Sequence, residues 1–176
     1  MAESLGDMKL PSCQEQYSLA EELVHTATDR HVTVGTAESC TGGLVAGAIT
    51  DVPGSSEMLR GGVVSYAISV KHAVLGVSNE ILNKPGVGAI SSECAEQMAE
   101  GARKVLEPTY AVSITGIAGP GGEEPGKPVG TVWFGLAGDR IETTTELHTF
   151  SGTRPEVRNK AVYVALQLLL KAVKNA

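Results

Sequence analysis

The sequence predicts an α/β fold, a three-layer α/β/α sandwich around a mixed sheet. Three observations carry that expectation. Runs with helical spacing alternate with short apolar runs for most of the chain, the pattern of strands joined by crossover helices. Late in the chain, "VGTVWFGLAG" and "IETTTELHTF" follow one another across Gly138-Asp139, which adds an antiparallel pair. The helical stretch "GGLVAGAIT" is made of small residues, so it can lie close against a sheet.

Each element can be read in order. Residues 1 to 14 read as a loose tail, and 15–176 as a single domain. From Tyr17 to about Thr28, Leu19, Leu23 and Val24 recur at helical spacing. "HVTVGT" reads as a buried strand and "GGLVAGAIT" as the helix after it. "VPGSSE" is a loop, "GGVVSYAI" a second strand, and Ser69 a candidate cap for a short helix ending at Leu75. "EILNKPGVGAISSE" predicts a short helix, a turn and a short strand. Ser91 or Ser92 then caps a helix to about Leu106, stopped by Pro108. "TYAVSITG" is a buried strand and "GIAGPGGEEPGKP" a long Gly/Pro loop. After the antiparallel pair, Thr153 and Pro155 open a last helix. Its apolar stripe is Val157, Ala161, Val164, Leu168 and Ala172.

Composition narrows the function. The 176 residues suffice for one core, and with two Phe and one Trp that core must be aliphatic. A net charge of -6 gives no basic footprint for nucleic acid. Cys13, Cys40 and Cys94 have no zinc-ligand spacing and read as reduced thiols in a cytosol; no cofactor is expected. "MAESLGDMKLPSC" lacks the apolar core of a signal peptide, and "VYVALQLLL" is too short to span a bilayer. A cytoplasmic protein without membrane partners is therefore expected. Small-residue-rich helices suggest a homodimer.

The chemistry concentrates in "TAESCTGG", residues 36 to 43. Ser39 falls where a strand turns into a helix. There it either caps the helix or attacks a substrate, with the amides of Thr41, Gly42 and Gly43 able to hold an oxyanion or a phosphate. A serine nucleophile needs a base. None of the four histidines has an evident carboxylate relay. Lys71 lies in a mostly uncharged stretch and is either an exposed helix lysine or a buried base. As a base its pKa must fall from about 10.4 to about 7–8, which requires a dry site.

"TGIAGPGG" follows a buried strand, where ligands bind in open α/β sheets, and offers Thr115, Gly116 and Gly119. It is neither a Walker loop nor GxGxxG. Arg154 and Arg158 stand four apart on one helical face and suit a phosphate, or else form a solvated face with Glu156. A metal-dependent phosphohydrolase would want clustered carboxylates, and the adjacent Glu123 and Glu124 make a poor cage.

"AESCTGG", "GGVVSYAISVKHAVLGV", "SITGIAGPGG", "KPVGTVWFGLA" and "FSGTRPEVR" resemble, in content and order, the CinA C-terminal-domain family with its stand-alone nicotinamide mononucleotide deamidases. The resemblance runs from about Tyr17 to Leu170. It lacks the molybdopterin-binding-like domain of full-length members. It implies a three-layer fold and metal-free hydrolysis of nicotinamide mononucleotide to nicotinate mononucleotide and ammonia. It also implies Ser39 as nucleophile, Lys71 as base, Tyr66 lining the site, and Arg154 or Arg158 completing it. A non-catalytic nucleotide-binding or regulatory module is the alternative it leaves.

Overall fold

The structure is a computed structural model and describes residues 8–176. Its helices are α1 (Cys13–Asp29), α2 (Leu44–Thr50), α3 (Ile68–Leu75), α4 (Asn79–Leu82), α5 (Ser92–Leu106) and α6 (Arg154–Lys174). Its strands are β1 (Val34–Glu38), β2 (Leu59–Val64), β3 (Tyr110–Gly116), β4 (Thr131–Gly138) and β5 (Ile141–Thr149). They form one sheet in the order β2-β1-β3-β4-β5. β1 pairs in parallel with β2 and β3, whereas β3–β4 and β4–β5 are antiparallel, so the sheet is mixed as expected.

The order 2-1-3 places α2 on one face and α3 to α5 on the other, because the crossover from β1 to β2 and the one from β2 past β1 to β3 run in opposite directions along the sheet. α1, α2 and α6 pack together over one side of the sheet, and α5 lies along the other. The larger core fills the first side, with Val34, Val112, Ile114, Phe134, Leu166 and Leu169 among its members. A smaller core of Ala37, Leu75, Cys94, Met98, Ala102 and Ala111 fills the second. Gly101 lets α5 approach the end of α3 closely, since a Cβ there would collide with the Leu75 carbonyl.

Three local expectations change and one open choice is resolved. Of the tail, residues 1–7 lie outside the described residues, and Cys13 and Gln14 already belong to α1. Ser12 and Glu15 form a reciprocal capping box that starts this helix. α3 begins one residue before Ser69, with Ala67 as an uncapped N-cap, so Ser69 is not its cap. The short strand before α5 is absent. Gly86 and Gly88 take left-handed φ values of 77° and 60°, and the carbonyls between and after them are bound by side chains instead of a ladder. Ser91, not Ser92, caps α5 by accepting from the Cys94 amide.

Candidate active site

The carboxyl ends of β1, β2 and β3 converge on one cleft, at the point where the strand order reverses. Side chains alternate across a strand. In β1, Val34 joins the α1/α2/α6 core and Ala37 the α3/α5 core. The alternation continues through the next two residues. Glu38 turns toward α2 and Ser39, whose amide still donates to the Ile114 carbonyl of β3, turns toward α3.

Glu38 is fully buried, and its carboxylate does the capping. Oε2 accepts from the amides of Gly43 (2.9 Å) and Val45 (3.1 Å), Oε1 from that of Ala46 (2.9 Å) and from Thr36 Oγ1 (3.2 Å). The positive end of α2 is thus neutralised by the chain's own anion. Gly42 and Gly43 take φ values of 62° and 96°, which lets the chain turn tightly into the helix. One open choice is resolved here and one expectation is corrected. Ser39 is not the cap: Gly43 holds that position without a side-chain bond. The Gly43 amide serves Glu38 and the Gly42 amide donates to the Ser39 carbonyl, so neither is open to an oxyanion or phosphate. Glu38→Ala is expected to destabilise the protein by about 3 kcal/mol, because several buried amides lose their acceptor together. Urea denaturation checks this, and Glu38→Gln, which keeps an acceptor, should lose less.

Lys71 is 2% exposed and enters from α3. Its Nζ donates to Ser39 Oγ (2.7 Å) and to the Ser65 carbonyl (2.6 Å). Ser65 is itself fixed, its amide donating to the Glu38 carbonyl. Burial pushes the Lys71 pKa below its ordinary value, because an ammonium loses hydration there. Two nearby thiols, Cys94 and Cys40, would oppose this if ionised. Burial pushes both of them up to about 11, so near neutral pH they carry no charge and the opposition is silent.

The cleft has a volume of about 200 Å³ and is lined in part by Ser39, Lys71, Tyr66, Thr115, Gly116 and Arg154. Ala89 and Ile90 complete a wall. The two arginines separate. Arg154 lines the cleft and donates from Nη1 to the Gly119 carbonyl (2.8 Å) and from Nη2 to the Tyr66 hydroxyl (3.1 Å). Arg158 instead holds the turn after Ser39, donating from Nε to the Cys40 carbonyl (3.0 Å) and from Nη2 to that of Thr41 (3.1 Å). Thr115 donates its hydroxyl to the Ala89 carbonyl (2.6 Å). Gly116 and Gly119 are tight against β4 and Val129, so they answer to packing of the loop. Among the described residues no three His, Cys, Asp or Glu side chains gather as a metal site. No described helix is long and apolar enough to cross a membrane.

The model of the CinA C-terminal domain matches residues 16–173, nearly all of the described chain. The chain belongs to the CinA C-terminal domain family. A CinA-like protein of Leptospira borgpetersenii is 46% identical over 89% of the chain, and the chain spans only 37% of that relative's length. The nicotinamide-nucleotide amidohydrolase PncC of Escherichia coli is also 46% identical, over 88% of the chain and 93% of its own length. Among solved structures, a competence/damage-inducible protein of Agrobacterium tumefaciens superposes with a TM-score of 0.87 at 37% identity, covering 95% of this chain and 99% of that one.

Three parts of this cleft lie beyond the expectations drawn from the sequence. The capping role of Glu38 was legible in principle from strand alternation, since Glu38 and Ser39 must face opposite sides of the sheet. The Ser65 carbonyl and the Ala89–Ile90 wall carry no side-chain signal and needed the tertiary structure.

Proposed function

We propose that the protein is an amidohydrolase that converts nicotinamide mononucleotide to nicotinate mononucleotide and ammonia by Ser-Lys catalysis. The observation that carries this reading is the 2.7 Å contact between Lys71 Nζ and Ser39 Oγ in a buried, cleft-lining position. Family membership and the name of the Escherichia coli relative support the choice of substrate.

The reaction follows from the site. In the neutral amine the Lys71–Ser39 bond reverses, and Nζ accepts the hydroxyl proton while one N–H still donates to the Ser65 carbonyl. Ser39 Oγ attacks the carboxamide carbon. Among the described residues neither the Cys40 nor the Thr41 amide donates to a backbone carbonyl, and the turn that carries them is clamped by Arg158. They replace the glycine amides as the proposed oxyanion donors, in keeping with the rule that the residue after a nucleophile supplies one. Protonated Lys71 returns its proton to the departing nitrogen, and the C–N bond breaks to release ammonia. Water then attacks the acyl-enzyme, giving its proton to Lys71. The Oγ–acyl bond breaks as Lys71 returns that proton to Ser39, and the acid leaves, ionising to the carboxylate in water. Tyr66, held by Arg154, faces the same cleft and assists proton transfer. Arg154 puts a guanidinium charge on the cleft that suits an anionic nucleotide.

Cys13, Cys40 and Cys94 are free thiols, in keeping with the cytosolic location that this reading includes together with a homodimer. The test is ammonia release from nicotinamide mononucleotide with EDTA present. Turnover that survives the chelator is the expected result. A folded protein that releases no ammonia overturns the amidohydrolase reading in favour of a nucleotide-binding module.

A further inference from the structure

The wall segment 83–91 has no strand or helix after Leu82, yet it is firmly held. Three successive carbonyls each accept from a different side chain. Lys127 Nζ donates to Val87 O (2.6 Å), Ser91 Oγ to Gly88 O (2.9 Å) and Thr115 Oγ1 to Ala89 O (2.6 Å). Ser91 is local, and Thr115 belongs to the sheet. Lys127 belongs to neither. It sits in the Gly/Pro loop 117–130, at the base of a tight turn in which Glu124 and Lys127 exchange both backbone hydrogen bonds (3.1 and 2.8 Å).

The Lys127 side chain is 12% exposed, and its ammonium also meets the Glu124 carboxylate at 2.9 Å. That surface pair is worth little by itself. The charged donor on the Val87 carbonyl is a stronger tie, because it is short and partly buried. Both connected loops supply cleft lining: Ala89 and Ile90 from one, Ala118 from the other. The second loop also offers the Gly119 carbonyl that fixes Arg154.

We propose that Lys127 is a positioning residue of the cleft, tying the 83–91 wall to the 117–130 loop and so setting the slot that receives the substrate's ring. This rests on the amidohydrolase reading. Lys127 touches no reacting atom. Its loss loosens the wall and weakens holding of the ring, while the Ser39–Lys71 pair, fixed by β1 and α3, is left alone.

The experiment compares the wild type, Lys127→Met and Lys127→Arg by steady-state kinetics on nicotinamide mononucleotide across pH, and by amide hydrogen exchange. For Lys127→Met the expected result is a KM raised about tenfold, with kcat within about threefold of wild type and an unshifted pH profile. Exchange should quicken in 83–91 and not in β1 or α3. Lys127→Arg, which keeps a charged donor, should restore most of the KM. An unchanged KM in Lys127→Met overturns the proposal, as does a loss of stability and activity that Lys127→Arg fails to restore. If the wild type itself turns over no nicotinamide mononucleotide, the amidohydrolase reading fails separately, and exchange decides: unaltered protection of 83–91 in Lys127→Met overturns the positioning role.

Discussion

Ser39→Ala should abolish ammonia release from nicotinamide mononucleotide, lowering kcat by at least about 10⁴-fold, while the protein stays folded with a stability close to wild type. The size of the effect follows from what Ser39 does in the proposed reaction: it forms the only covalent bond to the acyl group. The small structural effect follows from what Ser39 does not do. Its hydroxyl caps no helix, because Glu38 supplies that anion from the opposite face of the strand. The measurement pairs a coupled ammonia assay with thermal unfolding. Near-normal turnover by Ser39→Ala would remove Ser39 from the chemistry. A collapse in stability would mean that its hydroxyl holds the turn after all.

Lys71→Met should be nearly as damaging, with a loss on the order of 10²–10⁴-fold for the missing general base. It also tests the electrostatics. Burial lowers the Lys71 pKa below its ordinary 10.5, so wild-type kcat/KM should rise with pH as the amine sheds its proton at that lowered value. This ascending limb should vanish in Lys71→Met. The linkage to stability has a definite sign. Between the lowered folded value and 10.5 the unfolded chain binds more protons at this group than the folded one, so wild-type stability gains with rising pH across that window. Below the folded value both states carry the proton, and the full burial penalty stands. The unfolding free energy of wild type minus that of Lys71→Met should therefore climb with pH through the window. A flat or falling difference in urea titrations at several pH values would show that Lys71 is not desolvated in the folded protein.

Much of this fold is written in periodicity. The alternation of helical and strand runs gives the layers, and the pair around Gly138-Asp139 gives the antiparallel half of the sheet. Where local reading fails, a tertiary contact decides. "GVGAI" has the apolar content of a strand, but Gly86 and Gly88 turn the chain, and Lys127, Ser91 and Thr115 take its carbonyls. Ser39 and Lys71 look ordinary by spacing alone, and resemblance to a family is what singles them out. Nothing in a spacing of four separates Arg154 from Arg158. The separation depends on which neighbour each guanidinium meets: Tyr66 and Gly119 for the first, the Cys40 and Thr41 carbonyls for the second. Strand parity at Glu38 and Ser39 is the site signal that the sequence itself carries.

The division of labour between those two neighbours bears on how this scaffold can change over generations. In many strand-to-helix turns a single hydroxyl residue must both hold the helix and face the ligand, so any change in its chemistry threatens the fold. Here Glu38 carries the architectural duty and Ser39 does not. Drift at position 39, from hydroxyl to thiol or to no nucleophile at all, leaves the helix anchored. A lineage built on this turn can lose, regain or exchange its reactivity while the body of the protein persists, and a folded but silent descendant is an accessible step rather than a dead end.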